Sequence, residues 1–385
     1  MAENWVTKEG VIMREIISSF PYFPESSLQT ILHDIEASLR SGRLTDGPHA
    51  QDFEKKFADY NKVKYAVAVN SGTAALEVAL RYFNVKDKEV IVPTNTFVST
   101  PHSVIFAGGT PVFADMRADT LCIDPEDVKR KLTAKTAGVI VVHVAGLVCP
   151  QIGELKQLCE DRGLFLIEDA AHAHGATINA QKAGTLGDAG CFSFYPTKVM
   201  TSCEGGMITT NNSALAEKAR CMRTCGQTKD KQVVMLGHNW RLNEMAAIVG
   251  KHQLENLEEF IIKRNEVARG YEDALKNIYG VSLFKTPVNI RHSYYKYPVR
   301  LNAEINREKL SLMLKEKFGV ETGHVYYPPC HLHPFYLEKY PLNGKLPVAE
   351  SVLNKVICLP MHVGVNQEDV VYVRDALVSC INMLS

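Results

Sequence analysis

Neither sign of charge prevails in this chain. Lys and Arg number 43 and so do Asp and Glu, so no net field favours nucleic acid or an acidic membrane surface, and any anion site must be local. Long apolar runs are also missing. The longest, around Val139 to Val148, is too short to span a bilayer, and the opening residues MAENWVTKEGVIMREI mix charges among their apolar residues, with no signal-like core. The expectation is a cytoplasmic protein without membrane or nucleic-acid partners. The ten cysteines form no C-x-x-C pair and read as reduced, mostly core thiols, so no disulfide is expected. With no internal repeat, low-complexity tract or Pro/Ser-rich linker, domain limits have to come from changes of pattern.

What is present is enough for one large core and a smaller attached domain: 385 residues, 46% of them hydrophobic. From about Lys64 to Thr210, short β-branched runs alternate with helical patterns. The runs are Tyr65–Val69, Glu89–Val92, Pro111–Phe113, Val139–Val144, Leu164–Ile167, Cys191–Phe194 and Met207–Thr209. Most are apolar without interruption, as in VIVVHV, which fits strands covered on both faces by crossover helices. The predicted fold class is therefore α/β, a mostly parallel mixed sheet flanked by helices. Asp124-Pro125-Glu126 supplies a cap, a first-turn proline and an acidic first turn, which predicts a crossover helix running through Leu132. After Asn239 the pattern is helical for some forty residues, and beyond Val281 it becomes short strands and helices. This places an N-terminal segment and large domain at 1–255 and a smaller α+β domain at 256–385.

Three segments carry chemistry. Asn70-Ser71-Gly72-Thr73 lies between the strand YAVAV and the helix AALEVALRYF, so backbone N–H groups at a helix N-terminus face the carboxyl end of a strand, a geometry that binds phosphate. It is no Walker loop, and alone it is equally an ordinary cap. Asp169 follows the buried run Leu164–Ile167, where α/β sheets present ligand-contacting side chains. Lys198 follows an apolar strand and Pro196 and precedes Gly205-Gly206. A lysine in an apolar crevice loses its proton readily, and the neutral amine can form an imine with an aldehyde. Together the three supply a phosphate cradle, an acid for a pyridinium nitrogen and an amine for an aldehyde carbon, which are the needs of pyridoxal 5'-phosphate (PLP). An anionic Asp169 keeps that nitrogen protonated.

The blocks NSGTAALEVAL, VPTNTFVSTPHSVIFAGGTPVFAD, EDAAHAHGA, SFYPTKVMTSCEGG, GHNWRLNEMAAIVGKHQLENL, HVYYPPCHLHPF and LPVAESVLNKVICLPMH resemble, in order and spacing, the fold-type-I sugar aminotransferases often called the DegT/StrS family. The resemblance runs from about Arg43 over nearly the whole chain. It implies that Phe97 stacks on the cofactor ring, that His172 lies near the ring hydroxyl, and that Ser193 binds phosphate beside the Gly72 and Thr73 amides. It also implies that Asn239 reaches the site of a neighbouring subunit, and hence a homodimer with active sites at the interface. Cys203 and His172 depart from residues common in relatives, Gly and Gln, without removing the imine chemistry. Arg241, Tyr326 and His331 are candidate substrate contacts. Arg241 could pair with a donor carboxylate or a nucleotide phosphate, or equally form a surface salt bridge. His292, Tyr294, Tyr295 and Lys296 lie in a segment the family uses around the substrate.

The implied reaction moves an amino group from L-glutamate, through pyridoxamine phosphate, to a keto group of a nucleotide-linked deoxysugar, giving an amino sugar and 2-oxoglutarate. A cyclitol ketone such as an inosose is the alternative acceptor. A PLP/PMP-dependent deoxysugar dehydratase is a further alternative that Lys198 disfavours, since related dehydratases carry histidine there. A catalytically silent regulator would need a DNA-binding domain or a basic stripe, and neither is evident. Cys330-His331-Leu332-His333 lacks a second pair at zinc spacing, so no metal is expected. Cys221 and Cys225 read as two thiols on one helix face.

Overall fold

Val67, Val69, Val90, Ile91, Val139 and Ile140 are fully buried, because uninterrupted apolar runs are stable as strands only when both faces are covered. Each such side chain contributes roughly 1.5–3 kcal/mol on leaving water. The computed structural model describes residues 4–6, 12–340 and 344–384. Strands β1 (Asn4–Val6) and β2 (Ile12–Arg14) precede helices α1 (Glu25–Ser41) and α2 (Pro48–Asn61). The alternating region then runs β3 (Tyr65–Val69), α3 (Gly72–Tyr82), β4 (Glu89–Pro93), α4 (Ser99–Phe106), β5 (Thr110–Ala114), α5 (Pro125–Arg130), β6 (Thr136–Val142), α6 (Ile152–Arg162) and β7 (Phe165–Asp169). It continues with the short β8 (Thr177–Ile178) and β9 (Gln181–Lys182), then β10 (Ala189–Ser193) and β11 (Gly206–Thr210).

Seven of these strands form one sheet in the order β3-β11-β10-β7-β6-β4-β5. Only β11 runs against the rest, antiparallel to both β10 and β3, while the β10, β7, β6, β4 and β5 pairings are parallel. The carboxyl ends of β3, β4, β7 and β10 therefore share one edge, where open α/β sheets gather ligand-contacting residues. Asp124 caps α5 through the Glu126 N–H at 3.2 Å. That helix ends at Arg130, two residues before the expected Leu132, where Lys131 adopts φ −95° and ψ 0°.

Helices α7 (Ser213–Arg223), α8 (Glu244–Glu255) and α9 (Leu257–Leu275) lead into β12 (Val281–Leu283), β13 (Ile290–Arg291), β14 (Tyr297–Leu301), α10 (Arg307–Phe318), α11 (Pro334–Lys339), α12 (Pro347–Val352), β15 (Val356–Leu359) and α13 (Gln367–Leu384). Strands β12, β14 and β15 make a small antiparallel sheet. Val267, Tyr271, Val299, Leu314, Val370 and Leu377 build a second hydrophobic cluster beside it. Tyr294 belongs to this cluster and its neighbour Tyr295 to the large one. All ten cysteines are free. Among the described residues no helix is long and apolar enough to cross a membrane, and no group of three or more His, Cys, Asp and Glu could hold a metal ion.

Candidate active site

A cavity of about 610 Å³ opens at the carboxyl edge of the sheet, and its walls include Gly72, Thr73, Phe97, Asp169, His172, Ser193, Lys198 and Tyr326. These are eight residues that the sequence singled out, contributed by the ends of four strands and by the segment after α10.

The anion end is built first. Ser71 adopts extended φ −163° and ψ 159°, and its hydroxyl accepts from the Ala74 N–H at 3.1 Å. The N–H groups of Gly72 and Thr73, in the first turn of α3, have no partner within the helix. A β-carbon on Gly72 would stand 2.7 Å from that of Ser193, so only glycine lets the end of β10 come this close. The Ser193 hydroxyl and the two amides thus converge at a positive helix terminus.

Asp169 ends β7 and is buried. Its Oδ2 accepts from the Thr100 hydroxyl at 2.7 Å and its Oδ1 from the Ala171 N–H at 3.2 Å. Burial raises its pKa, against the lowering effect of Thr100, Ala171 and Lys198, so a cation brought opposite it would complete its ionisation. Lys198 sits in the turn after β10 with its Nζ 4.7 Å from the centre of the Tyr295 ring. Burial lowers its pKa, with Tyr295 and Asp169 opposing and Lys296 adding to the fall, which favours the neutral, nucleophilic amine.

The His172 ring lies 4.3 Å from that of Tyr295, and its Nε2 is 2.6 Å from the Tyr326 hydroxyl. Burial, with the nearby Lys198 and Lys296 charges, holds its pKa well below the usual histidine value, so the imidazole is neutral. Phe97 is 57% exposed although it lines the cavity, with the tilted Tyr326 ring 6.1 Å from its own.

Next to Asp169, the fully buried Glu168 accepts from the N–H groups of Gly184, Leu186 and Gly187 at 2.7, 2.6 and 2.7 Å. Its Oε2 also lies 2.8 Å from Nε2 of His143. His143 Nδ1 accepts from the Cys149 N–H at 3.2 Å, so Nε2 carries the proton and donates it to the carboxylate. This network fixes the ends of β6 and β7. Glu168→Ala is expected to cost ~3–5 kcal/mol by stranding these donors. A urea midpoint matching the parent's would contradict that.

Three sequence candidates lie elsewhere. His331 is directed inward by a 3-10 turn over Cys330–Leu332. Its Nδ1 is 2.7 Å from the Thr94 hydroxyl and its Nε2 is 3.2 Å from Glu350, so both nitrogens are used and it does not line the cavity, whereas His333 does. Asn239 and Arg241 also stand outside the cavity wall of their own chain. The sequence reading missed Thr96 in the wall, Thr100 behind it, and His324 and Glu204 in the wall. Thr96 and Thr100 follow the end of β4 within VPTNTFVST, and that position was the available signal.

A model of the DegT/DnrJ/EryC1/StrS aminotransferase family matches residues 26–378. The chain belongs to this family. Among its aminotransferase relatives, the GDP-perosamine synthase of Escherichia coli O157:H7 is 33% identical over 334 residues, covering 86% of this chain and 90% of that one. The dTDP-3-amino-3,4,6-trideoxy-alpha-D-glucose transaminase of Micromonospora megalomicea subsp. nigra is 32% identical over 338 residues, 86% of this chain and 89% of the other. Among solved structures, Spr1654 of Streptococcus pneumoniae in its PLP form superposes with TM-score 0.89 at 25% identity, covering 96% of this chain and 100% of that one, and a PMP form is also solved. The protein is a fold-type-I aminotransferase with nucleotide-sugar aminotransferases among its relatives. DegT aminotransferases use PLP, and the residues present fit that group. The first-turn amides of α3, brought close to Ser193 by the missing β-carbon at Gly72, suit its phosphate, and the exposed Phe97 ring, the buried carboxylate and the depressed lysine suit its ring and aldehyde.

Proposed function

We propose that this aminotransferase moves an amino group from L-glutamate to a keto group of a nucleotide-linked deoxysugar, with Lys198 as the amine that takes the aldehyde of PLP. The observation carrying this reading is the meeting of Lys198, Asp169 and the Gly72-Thr73-Ser193 cradle in one cavity. When bound, PLP supplies the aldehyde carbon and a ring that accepts electrons as the bond to the donor's Cα hydrogen weakens.

In this reading the chain's own groups do the following. Gly72, Thr73 and Ser193 would hold the phosphate, Phe97 would face the ring, and Asp169 would accept from the ring N–H. His172, kept neutral and tied to Tyr326, lies near the ring hydroxyl. With the donor's amine in place, Lys198 Nζ would stand free to take the proton from the donor's Cα and hold it, acting as general base and then general acid. The same steps in reverse with the sugar ketone give ping-pong kinetics. Tyr295, Tyr326 and Tyr327 in the wall suit a hexose ring, and the Lys296 ammonium, which donates to the His324 carbonyl at 2.6 Å, suits the donor's carboxylate or a diphosphate. The GDP- and dTDP-linked sugars in the names of relatives support the acceptor class.

We further propose a homodimer in which Asn239 completes the neighbouring site. Asn239 is exposed and follows the exposed apolar residues Val233, Val234 and Leu236, an arrangement that suits contact with a second copy.

The test is an absorption spectrum of the PLP-loaded protein before and after L-glutamate, followed by mass spectrometry of products with GDP- and dTDP-linked keto sugars and an inosose. Loss of the imine band with glutamate and an aminated nucleotide sugar are expected. A spectrum indifferent to glutamate would contradict the donor assignment, and amination of the inosose alone would transfer the acceptor to the cyclitols.

A further inference from the structure

We propose that Thr100, hydrogen-bonded in turn to Thr96, is a positioning residue that sets the charge and aim of Asp169 toward the cofactor's ring nitrogen. The inference rests on the reading above that Asp169 pairs with that nitrogen. Thr100 is fully buried and Thr96 nearly so, at 0% and 2% exposure. The Thr100 hydroxyl lies 2.7 Å from Asp169 Oδ2, and Thr96 Oγ1 lies 2.7 Å from Thr100 Oγ1.

The direction of this chain follows from the inventory of protons. An ionised carboxylate only accepts, so the one proton of Thr100 goes to Asp169 and the proton of Thr96 must go to Thr100. The two hydroxyls polarise each other toward the carboxylate in a site of low dielectric. Oδ2 is thereby pinned by Thr100, which does not line the cavity, while Asp169 itself does, and its remaining acceptor positions are left for a ligand. Packing does not explain the hydroxyl, since valine has nearly the shape of threonine, and a buried hydroxyl is costly unless it is bonded. Thr96 and Thr100 also flank Phe97, so the short segment after β4 would govern both the face of the ring and its nitrogen.

The test uses the holoprotein loaded with PLP carrying a 15N ring nitrogen, whose resonance reports whether that nitrogen is protonated. Titrations compare the parent with Thr100→Val, Thr100→Ser and Asp169→Asn, alongside the dissociation constant for PLP. Removing a hydrogen bond to a charged group should lower the midpoint of ring protonation by about one pH unit and weaken PLP binding about tenfold. Serine should restore both. Thr96→Val, at the far end of the chain, should give a smaller shift of the same sign, and it serves if Thr100→Val does not fold. A Thr100→Val titration that superimposes on the parent while Asp169→Asn shifts would overturn the inference alone. If Asp169→Asn does not shift either, the assignment of Asp169 fails and takes the inference with it.

Discussion

Lys198→Ala is expected to slow the glutamate half-reaction by ~10³-fold or more, because one side chain would be lost both as nucleophile and as proton carrier. The imine absorption should vanish, borohydride should no longer attach the cofactor to the chain, and the fold should persist, since the Lys198 side chain lines a cavity and fills no core position. The variant also tests the proposed sharing of the site between subunits. Mixed and reassembled with Asn239→Ala, it should recover activity that neither parent variant has. In the mixed dimer, one site draws its lysine from the Asn239→Ala chain and its asparagine from the Lys198→Ala chain, and so is intact. No recovery after confirmed subunit exchange would show that each chain completes its own site.

Acid should unfold the protein earlier than its carboxylates would require. Burial pushes the His174 and His292 pKa values down to about 3 and that of His362 to about 4, and holds His172 well below its ordinary value. In the unfolded chain each returns to about 6.5. Below that pH the unfolded state binds more protons than the folded one, so stability falls as pH falls. The loss begins near pH 6.5 and continues toward the folded values. At pH 5.5 His174, His292 and His362 should each account for ~1.4 kcal/mol, or about 4 kcal/mol together, a large share of the ~5–15 kcal/mol typical of a folded domain, and His172 adds a loss of the same sign. Asp169, whose pKa is raised by burial, opposes the trend as pH falls through its folded value toward its unfolded one. Urea midpoints at pH 7.5 and 5.5 provide the check. Equal midpoints would mean that these rings gain protons and partners within the fold.

The sheet was legible because a strand covered on both faces has to be apolar at every position. Tyr65–Val69 is reproduced to the residue, and the other runs shift by one to three residues at their ends. The reversal of β11 was not legible, since Met207–Thr209 carries the same side chains in either direction and only its hydrogen-bond partners fix the sense. Residues of the cavity wall could be picked from the sequence where a strand end and a chemical type coincide, as at Asp169 and Ser193. His331 misled because its neighbours in sequence do line the cavity, while a single tight turn rotates it toward Thr94 and Glu350. Thr100 escaped notice because a hydroxyl in a helix's first turn ordinarily signifies a cap, and only the approach of β7 gives it another role.

Tyr294 and Tyr295 are adjacent in sequence yet anchored in different hydrophobic clusters. The first ring is stacked 4.0 Å from His292, and the second lies beneath the Lys198 amine. The dipeptide therefore joins the C-terminal hydrophobic cluster to the surroundings of the Lys198 Nζ, so a substitution that displaces Tyr294 is expected to be felt there.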